Sequence, residues 1–451
     1  MRAGFRWPDD RGVTSAVPYA ELIEEARLRA LSLLRRNSSH PGIAAATESA
    51  AAIERGYTRI FARDAGLSAM SMALSGNEDL VATARAGLLT LARHRAENGQ
   101  IPKYVDTERG EGDFWYVGCL DASLWWLVAV DFLARHASDA DFRLEIEPHV
   151  AAALGWLRCQ EHPRLMLLQQ NEASDWADIM PRSGFVLYSN ALWYHVKRLY
   201  GLDGIEETKY HFNHLFYPFS REVPDYRRLR LLTHYVRSKN ADDSLYLSFV
   251  NFSFWGEEGD VFGNLLAVLL GLANEGPAGR ILRALKKSGV DRPYPVRAVV
   301  RPIQRGERMW RTYMSRHRQN LAFQYHNGGI WPMLGAFWVM SYAHLGRIEE
   351  ARVELEHLAK ANALGDWEFN EWLHGQSGEP SGMPGQSWNA ASFLLAHHSL
   401  TKRLFPGPAS PIQKARNPGG RGGQRSTVAF SRESRTRSPL GTDTPGRLIE
   451  E

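Results

Sequence analysis

The densest chemistry in the chain lies in Asp366–Asn389, which holds four acids, three tryptophans, one histidine and four glycines between two helical patterns. A carboxylate can activate water, flat rings cover the apolar face of a sugar, and glycines let a backbone come close. Acid, ring and glycine on one loop therefore point to carbohydrate chemistry, with Glu371 as the acid at its centre. A second acidic and aromatic stretch, Asn171–Asp178, carries Asp175, Trp176 and Asp178. Hydrolysis of a glycosidic bond with inversion needs one protonated carboxyl and one carboxylate, about 6.5–9.5 Å apart on opposite faces of the sugar. Asp178, among Trp176, Ala177, Ile179 and Met180, is expected to have a raised pKa. Glu371, beside Asn370, Trp372 and His374, has polar neighbours expected to hold it ionised. Taken singly, either acid is more often a solvated or capping residue than a reacting one.

Further stretches could hold a sugar. Arg63-Asp64 reads structurally as a helix cap with an ion pair, and functionally as a grip on vicinal hydroxyls, Asp accepting and Arg donating. Tyr325-His-Asn-Gly-Gly-Ile-Trp-Pro332 opens a helix with Pro332 in its first turn. It is dense enough in donors and rings to read as a sugar platform of Tyr325 and Trp331, with His326 and Asn327 as donors. Gln386-Ser-Trp388 opens the last helix, where Ser387 alone would serve as a cap. Trp125-Trp126 reads as core. No Gly-x-Ser-x-Gly elbow, phosphate loop or dinucleotide fingerprint is present.

The elements that must position these residues are helical. Spacing of apolar residues predicts helices over 19–36, 65–74, 77–94, 120–135, 144–160, 187–200, 261–274, 278–288, 329–345, 348–363 and 387–404. The stretch 98–113 reads as a polar loop, and only 244–254 alternates like a strand. This predicts an all-α (α/α)6 toroid with irregular rim loops over 19–405, a loose arm over 1–18 and a disordered Pro/Gly/Ser-rich basic tail over 406–451.

Apolar residues make up 44% of the 451-residue chain and aromatics 11%, enough for a sizeable core. The net charge of +4 equals that of the tail alone, whose eight Lys/Arg face four Asp/Glu, so the body is neutral. A neutral body argues against a nucleic-acid platform, which needs a basic face. Two cysteines, Cys119 and Cys159, suit neither a disulfide framework nor a metal spacing, and both read as small buried residues of a reducing compartment. Without a signal peptide or an apolar run of about 18 residues, the protein reads as cytoplasmic and free of membrane contact.

Five stretches, spread over about residues 57–400, together resemble the (α/α)6-barrel glycoside hydrolases, in that family's order. They are Phe61-Ala-Arg-Asp64, Asp121-Ala-Ser-Leu-Trp-Trp126, Asp175-Trp-Ala-Asp178 with Leu187–Tyr194, Tyr325–Pro332, and Asn370-Glu-Trp-Leu-His-Gly375 with Gln386-Ser-Trp388. The resemblance is to the amylo-α-1,6-glucosidase (glycogen-debranching) group and to the alkaline/neutral invertases. It implies inversion, no metal or other cofactor, Asp178 as general acid and Glu371 as general base. Asp175 takes the acid's place if the loop is shifted by a gap. Arg63, Asp64, Trp176, Tyr325, His326, Asn327, Trp331, Gln386 and Trp388 would line the terminal-sugar site. His374 stands where many relatives carry an Asp three residues after the base. Trp-Ala-Asp and Asn-Ala-Leu-Trp-Tyr are similar to the debranching group, and Tyr-His-Asn-Gly-Gly-x-Trp-Pro to the invertases. The resulting expectation is an α-glucosidase of amylo-1,6-glucosidase type, with sucrose cleavage as the alternative. A catalytically silent toroid used for binding or scaffolding is the alternative of another class. Nothing in the sequence sets the oligomeric state.

Overall fold

The computed structural model describes residues 19–405 except 116, 117, 138, 220–235, 237–243, 252 and 253. The expected arm (1–18) and tail (406–451) lie outside the described residues. Twelve helices of nine or more residues are present among the described residues. In chain order they are α1 (Tyr19–Asn37), α2 (Ala62–Ala73), α3 (Glu78–Arg93), α4 (Leu120–His136), α5 (Ala140–Gln160) and α6 (Leu187–Tyr200). Then follow α7 (Ile205–Leu215), α8 (Val261–Leu269), α9 (Glu275–Lys287), α10 (Pro332–His344), α11 (Ile348–Asn362) and α12 (Ser387–Ser399).

The six even-numbered helices form a closed ring: α2 packs on α4, α4 on α6, α6 on α8, α8 on α10, α10 on α12, and α12 back on α2. The odd-numbered helices form an outer layer, α3 on α2, α5 on α4, α7 on α6, α9 on α8, α11 on α10 and α1 on α12. Composition dictates the layers. Every residue of α4 from Leu120 to Ala134 is buried, as is all of α8, whereas α9 buries only Ala278, Ile281, Leu282 and Leu285 on one stripe. Gly66 lets two inner helices approach, since a Cβ there would stand 3.2 Å from the Trp125 carbonyl oxygen. Trp125 and Trp126 are core residues, 1% and 0% exposed. No described helix is long and apolar enough to cross a membrane.

Contacts between the first turns and the loops before them place the N-termini of the inner helices at one rim. Arg63 of α2 bonds Asp121 of α4, which accepts a hydrogen bond from Tyr188 of α6. The Tyr188 ring lies 5.1 Å from Phe262 of α8, and Trp331, the cap of α10, lies 5.7 Å from Trp388 of α12. Helix N-termini carry partial positive charge, so this rim suits anionic side chains.

Differences from the sequence reading are local. The strand-like run 244–254 shortens to Phe249–Val250, the third strand of a small sheet with Gln169–Gln170 and Gly184–Val186. The polar loop 98–113 contains two strands, Tyr104–Asp106 and Glu111–Asp113, which pair with each other and, through the first, with Ile60–Phe61. Helix α7 was not predicted, because it buries only Thr208, Phe212 and Leu215. Cys119 is buried as expected, but Cys159 is exposed on outer helix α5, whose buried stripe runs through other positions.

Candidate active site

The acidic loop of Asp366–Asn389 folds back as a two-residue hairpin, Trp372–Leu373 pairing with Pro380–Ser381. Leu373 also exchanges two backbone hydrogen bonds with Ile330, of 2.8 and 2.7 Å, which fastens the loop to the Tyr325–Pro332 stretch. The junction is tight: a Cβ on Gly375 would meet the Gly328 carbonyl oxygen at 1.9 Å. Two glycine-rich stretches far apart in sequence thus become one wall.

Glu371 lies on this wall, 5% exposed. The Tyr57 hydroxyl donates to its Oε1 at 2.8 Å and the Met383 backbone N–H to its Oε2 at 3.0 Å. Gly382, with φ of 77°, makes room, since a Cβ there would stand 2.4 Å from Oε2. Burial pushes the Glu371 carboxyl up to about 7, against the two hydrogen bonds that favour its anion, and the Asp178 charge adds to the rise. The expectation that polar neighbours hold Glu371 ionised is therefore corrected. Its chain neighbours Asn370 and His374 bond elsewhere, Asn370 to Glu368 and His374 to the backbone of Gln376 and Ser377.

Asp178 comes from the opposite side, in the loop before α6, with its side chain 23% exposed. Lys103 Nζ lies 3.4 Å from Oδ2 and Arg63 Nη2 lies 3.6 Å from Oδ1. Burial alone would raise this carboxyl, but Lys103 and then Arg63 outweigh it and hold Asp178 below the usual carboxylate range. The expected rise is thus reversed, because two cations distant in the chain outweigh the burial. Asp175, the alternative, is 2% exposed and accepts from Gln170 Nε2 at 3.0 Å and Ala177 N–H at 2.8 Å.

Arg63 is the hub of a buried network. Its Nη1 donates to Asp121 Oδ1 at 3.1 Å, the Tyr188 hydroxyl donates to Asp121 Oδ2 at 2.9 Å, and Trp125 Nε1 donates to Tyr188 at 2.6 Å. Asp64 does not cap α2; Phe61 occupies that position and Asp64 sits in the first turn. Burial pushes Asp64 up to about 7, with Arg63 opposing and Glu371 and Asp178 adding.

The aromatic residues form one cluster. His326 stacks on Trp331 with centroids 4.9 Å apart, Trp176 meets both edge-on, and Tyr325 lies 5.2 Å from Trp331 and 6.1 Å from Trp372. Tyr325 and Trp331 are 8% and 1% exposed, so the platform is a buried floor rather than an open shelf. Burial drives His326 down to about 3, so its ring is neutral. Asn327 is tied to the protein: Nδ2 donates to the Ile303 and Asn320 carbonyls and Oδ1 accepts from Ile303 N–H. In contrast, the indole N–H groups of Trp176, Trp372 and Trp388, the Gln386 amide nitrogen and His326 Nδ1 are buried with no hydrogen-bond partner. A buried donor left unmade costs about 1–3 kcal/mol, a cost that an acceptor on a ligand or an ordered water would remove.

Tyr57, Lys103 and Trp115 join the site without having been singled out from the sequence, and Trp372, read there only as a neighbour of Glu371, joins its aromatic cluster. Tyr57 opens a stretch already marked by Arg63 and Asp64, but Lys103 lies in a polar segment with no local signal. Replacing Tyr57 by Phe removes a bond that favours the Glu371 anion, so Glu371 should ionise at a higher pH. The high-pH limb of kcat/KM, expected near 7, should move up by about half a unit to one unit in Tyr57→Phe, as read from the pH profile.

Solved glycosidases share this fold of an inner and an outer ring of helices. More particularly, residues 250–403 match the family described as alkaline and neutral invertase. A probable alkaline/neutral invertase D from Arabidopsis thaliana is 30% identical over 141 residues, covering 30% of this chain. The match spans only 25% of that relative's length. An uncharacterized conserved protein from Thermus thermophilus superposes with a TM-score of 0.58 at 16% identity, over 82% of this chain and 99% of that one. A GH63 mannosylglycerate hydrolase from the same organism gives 0.55 at 14% identity, with the same coverage. The matched family segment contains Glu371, His326, Trp331, Gln386 and Trp388, while Arg63, Lys103 and Asp178 lie before it.

Proposed function

We propose that the protein is an inverting hydrolase of an α-glucosidic bond, with Asp178 giving a proton to the leaving oxygen and Glu371 taking one from water. The observation that carries this reading is the meeting of two carboxyl groups from distant loops at the helix N-terminal rim. They are near enough for the Asp178 charge to raise Glu371, and they share that rim with unpartnered donors. Two donors aimed at Glu371 favour its role as base, and a setting near 7 makes it a stronger base than an ordinary carboxylate. Asp178 is an anion in the free site, so this assignment works through the form in which the proton sits on Asp178 and Glu371 is ionised.

Sucrose is placed first among substrates, because the invertase-like segment includes the Glu371 wall and the Tyr325–Pro332 floor. A branched α-glucan is the second reading, favoured by Trp176-Ala-Asp178 and Asn190–Tyr194. The test is to incubate the protein with sucrose, with a branched α-glucan, and with isomalto- and malto-oligosaccharides, following products by proton NMR. Glucose appearing first as the β-anomer, together with fructose, is expected from sucrose. β-Glucose from the glucan alone would favour the second reading. Release from none of them would overturn the substrate, and full release by both Asp178→Asn and Glu371→Gln would overturn the site.

A further inference from the structure

Lys103 is set beside Asp178 by backbone bonds on both sides. Its N–H donates to the Asp113 carbonyl at 2.7 Å, and its carbonyl accepts from Ala62 N–H at 2.9 Å, joining the strand Tyr104–Asp106 to the start of α2. Its side chain is 7% exposed, with Nζ 3.9 Å from the centre of the Trp115 ring and 3.4 Å from Asp178 Oδ2. An ammonium held between a ring face and a carboxylate has little freedom to turn away.

The groups facing Asp178 come from several elements. Arg63 approaches from α2 and neutral His326 from the loop before α10; Glu371 and Asp64, both near 7, are uncharged where Asp178 titrates, and Asp121 and Cys119 act through Arg63. Arg63 is shared: it is closer to Asp121, at 3.1 Å, than to Asp178, at 3.6 Å. Lys103 has Asp178 as its ion-pair partner among the described residues, with no second carboxylate dividing its charge.

We propose that Lys103 is the positioning residue of Asp178, clamped on Trp115 so that its ammonium aims Oδ2 and keeps that carboxyl an anion until substrate arrives. The proposal rests on the hydrolytic reading above and deepens it. Lys103, rather than the more conspicuous Arg63, determines how much of the enzyme carries a proton on Asp178.

The test needs no substrate. The protein is labelled with ¹³Cγ-aspartate and titrated by NMR, the Asp178 signal being the one lost in Asp178→Asn. In the wild type and in Lys103→Arg the signal should titrate below the ordinary Asp range. In Lys103→Met and in Lys103→Gln, two neutral replacements that guard against one failing to fold, the midpoint should rise by about one unit or more. An unchanged midpoint in a folded neutral variant would overturn the proposal, since a lysine that serves only packing leaves Asp178's titration in place. Turnover by Asp178→Asn and Glu371→Gln tests the hydrolytic reading separately. A shifted midpoint in a protein that cleaves none of the sugars removes that reading and leaves the Lys103–Asp178 pairing standing.

Discussion

Glu371→Gln should abolish turnover and, at the same time, make the protein more stable at alkaline pH. The loss follows from removing the proposed base, and should reach about 10²–10⁴-fold or more in kcat. The gain follows from burial. The Glu371 carboxyl titrates at about 7 in the fold, against an ordinary value of 4.5 in the unfolded chain. Between these values the folded state holds a proton that the unfolded state has released, so stability falls as pH rises through the window and the full penalty is present above 7. Glutamine carries no charge to bury. It can accept from Met383 N–H with its carbonyl oxygen and donate to a Tyr57 hydroxyl that reverses its role. The variant should gain about 3 kcal/mol over wild type at pH 8 and nothing at pH 4, measured by urea unfolding at both values. Equal stability at pH 8 would mean that Glu371 is solvated in solution.

The toroid was legible in the sequence from the number of helical segments, one of them apolar nearly all round and others amphipathic. Leu120–Ala134 cannot face water on any side, and alternating such a buried helix with one-striped amphipathic ones favours an inner and an outer ring. Helix α7 escaped notice because its buried stripe is three residues wide, and the strands of 104–113 because polar alternation over three residues is no signal. Site residues were legible where chemistry is dense within a few positions, as at Glu371 and His326. Charge state was not. Sequence neighbours suggested a neutral Asp178 and an ionised Glu371, whereas the fold delivers Lys103 and Arg63 to Asp178 and apolar burial to Glu371. Electrostatics depends on what lies within a few ångströms in space, and Lys103 and Arg63 reach Asp178 there from far along the chain. The same limit applies to Asn327, whose amide reads as a sugar donor until Ile303 is seen to occupy it.

Asp178→Asn should slow cleavage of sucrose by about 10²–10⁴-fold yet leave hydrolysis of α-glucosyl fluoride within about tenfold of wild type. Fluoride departs with little proton assistance, so an enzyme lacking its acid still processes this substrate, whereas one lacking its base does not. Glu371→Gln should therefore lose both substrates. The crossed pattern decides the point on which the free site's hydrogen bonds and charges pull apart. Tyr57 and Met383 present two donors to Glu371, which suits an anion that takes a proton, while Lys103 and Arg63 hold Asp178 as the anion before substrate binds. Retained fluoride hydrolysis in Glu371→Gln, with loss in Asp178→Asn, would exchange the two roles and make Glu371 the proton donor. With Asp178 as donor, a neutral residue at Lys103 raises the share of enzyme carrying the needed proton, and the low-pH limb of kcat/KM moves up with the Asp178 midpoint. The high-pH limb stays with Glu371 near 7, because Lys103 pairs with Asp178 and Glu371 is held by Tyr57 and Met383.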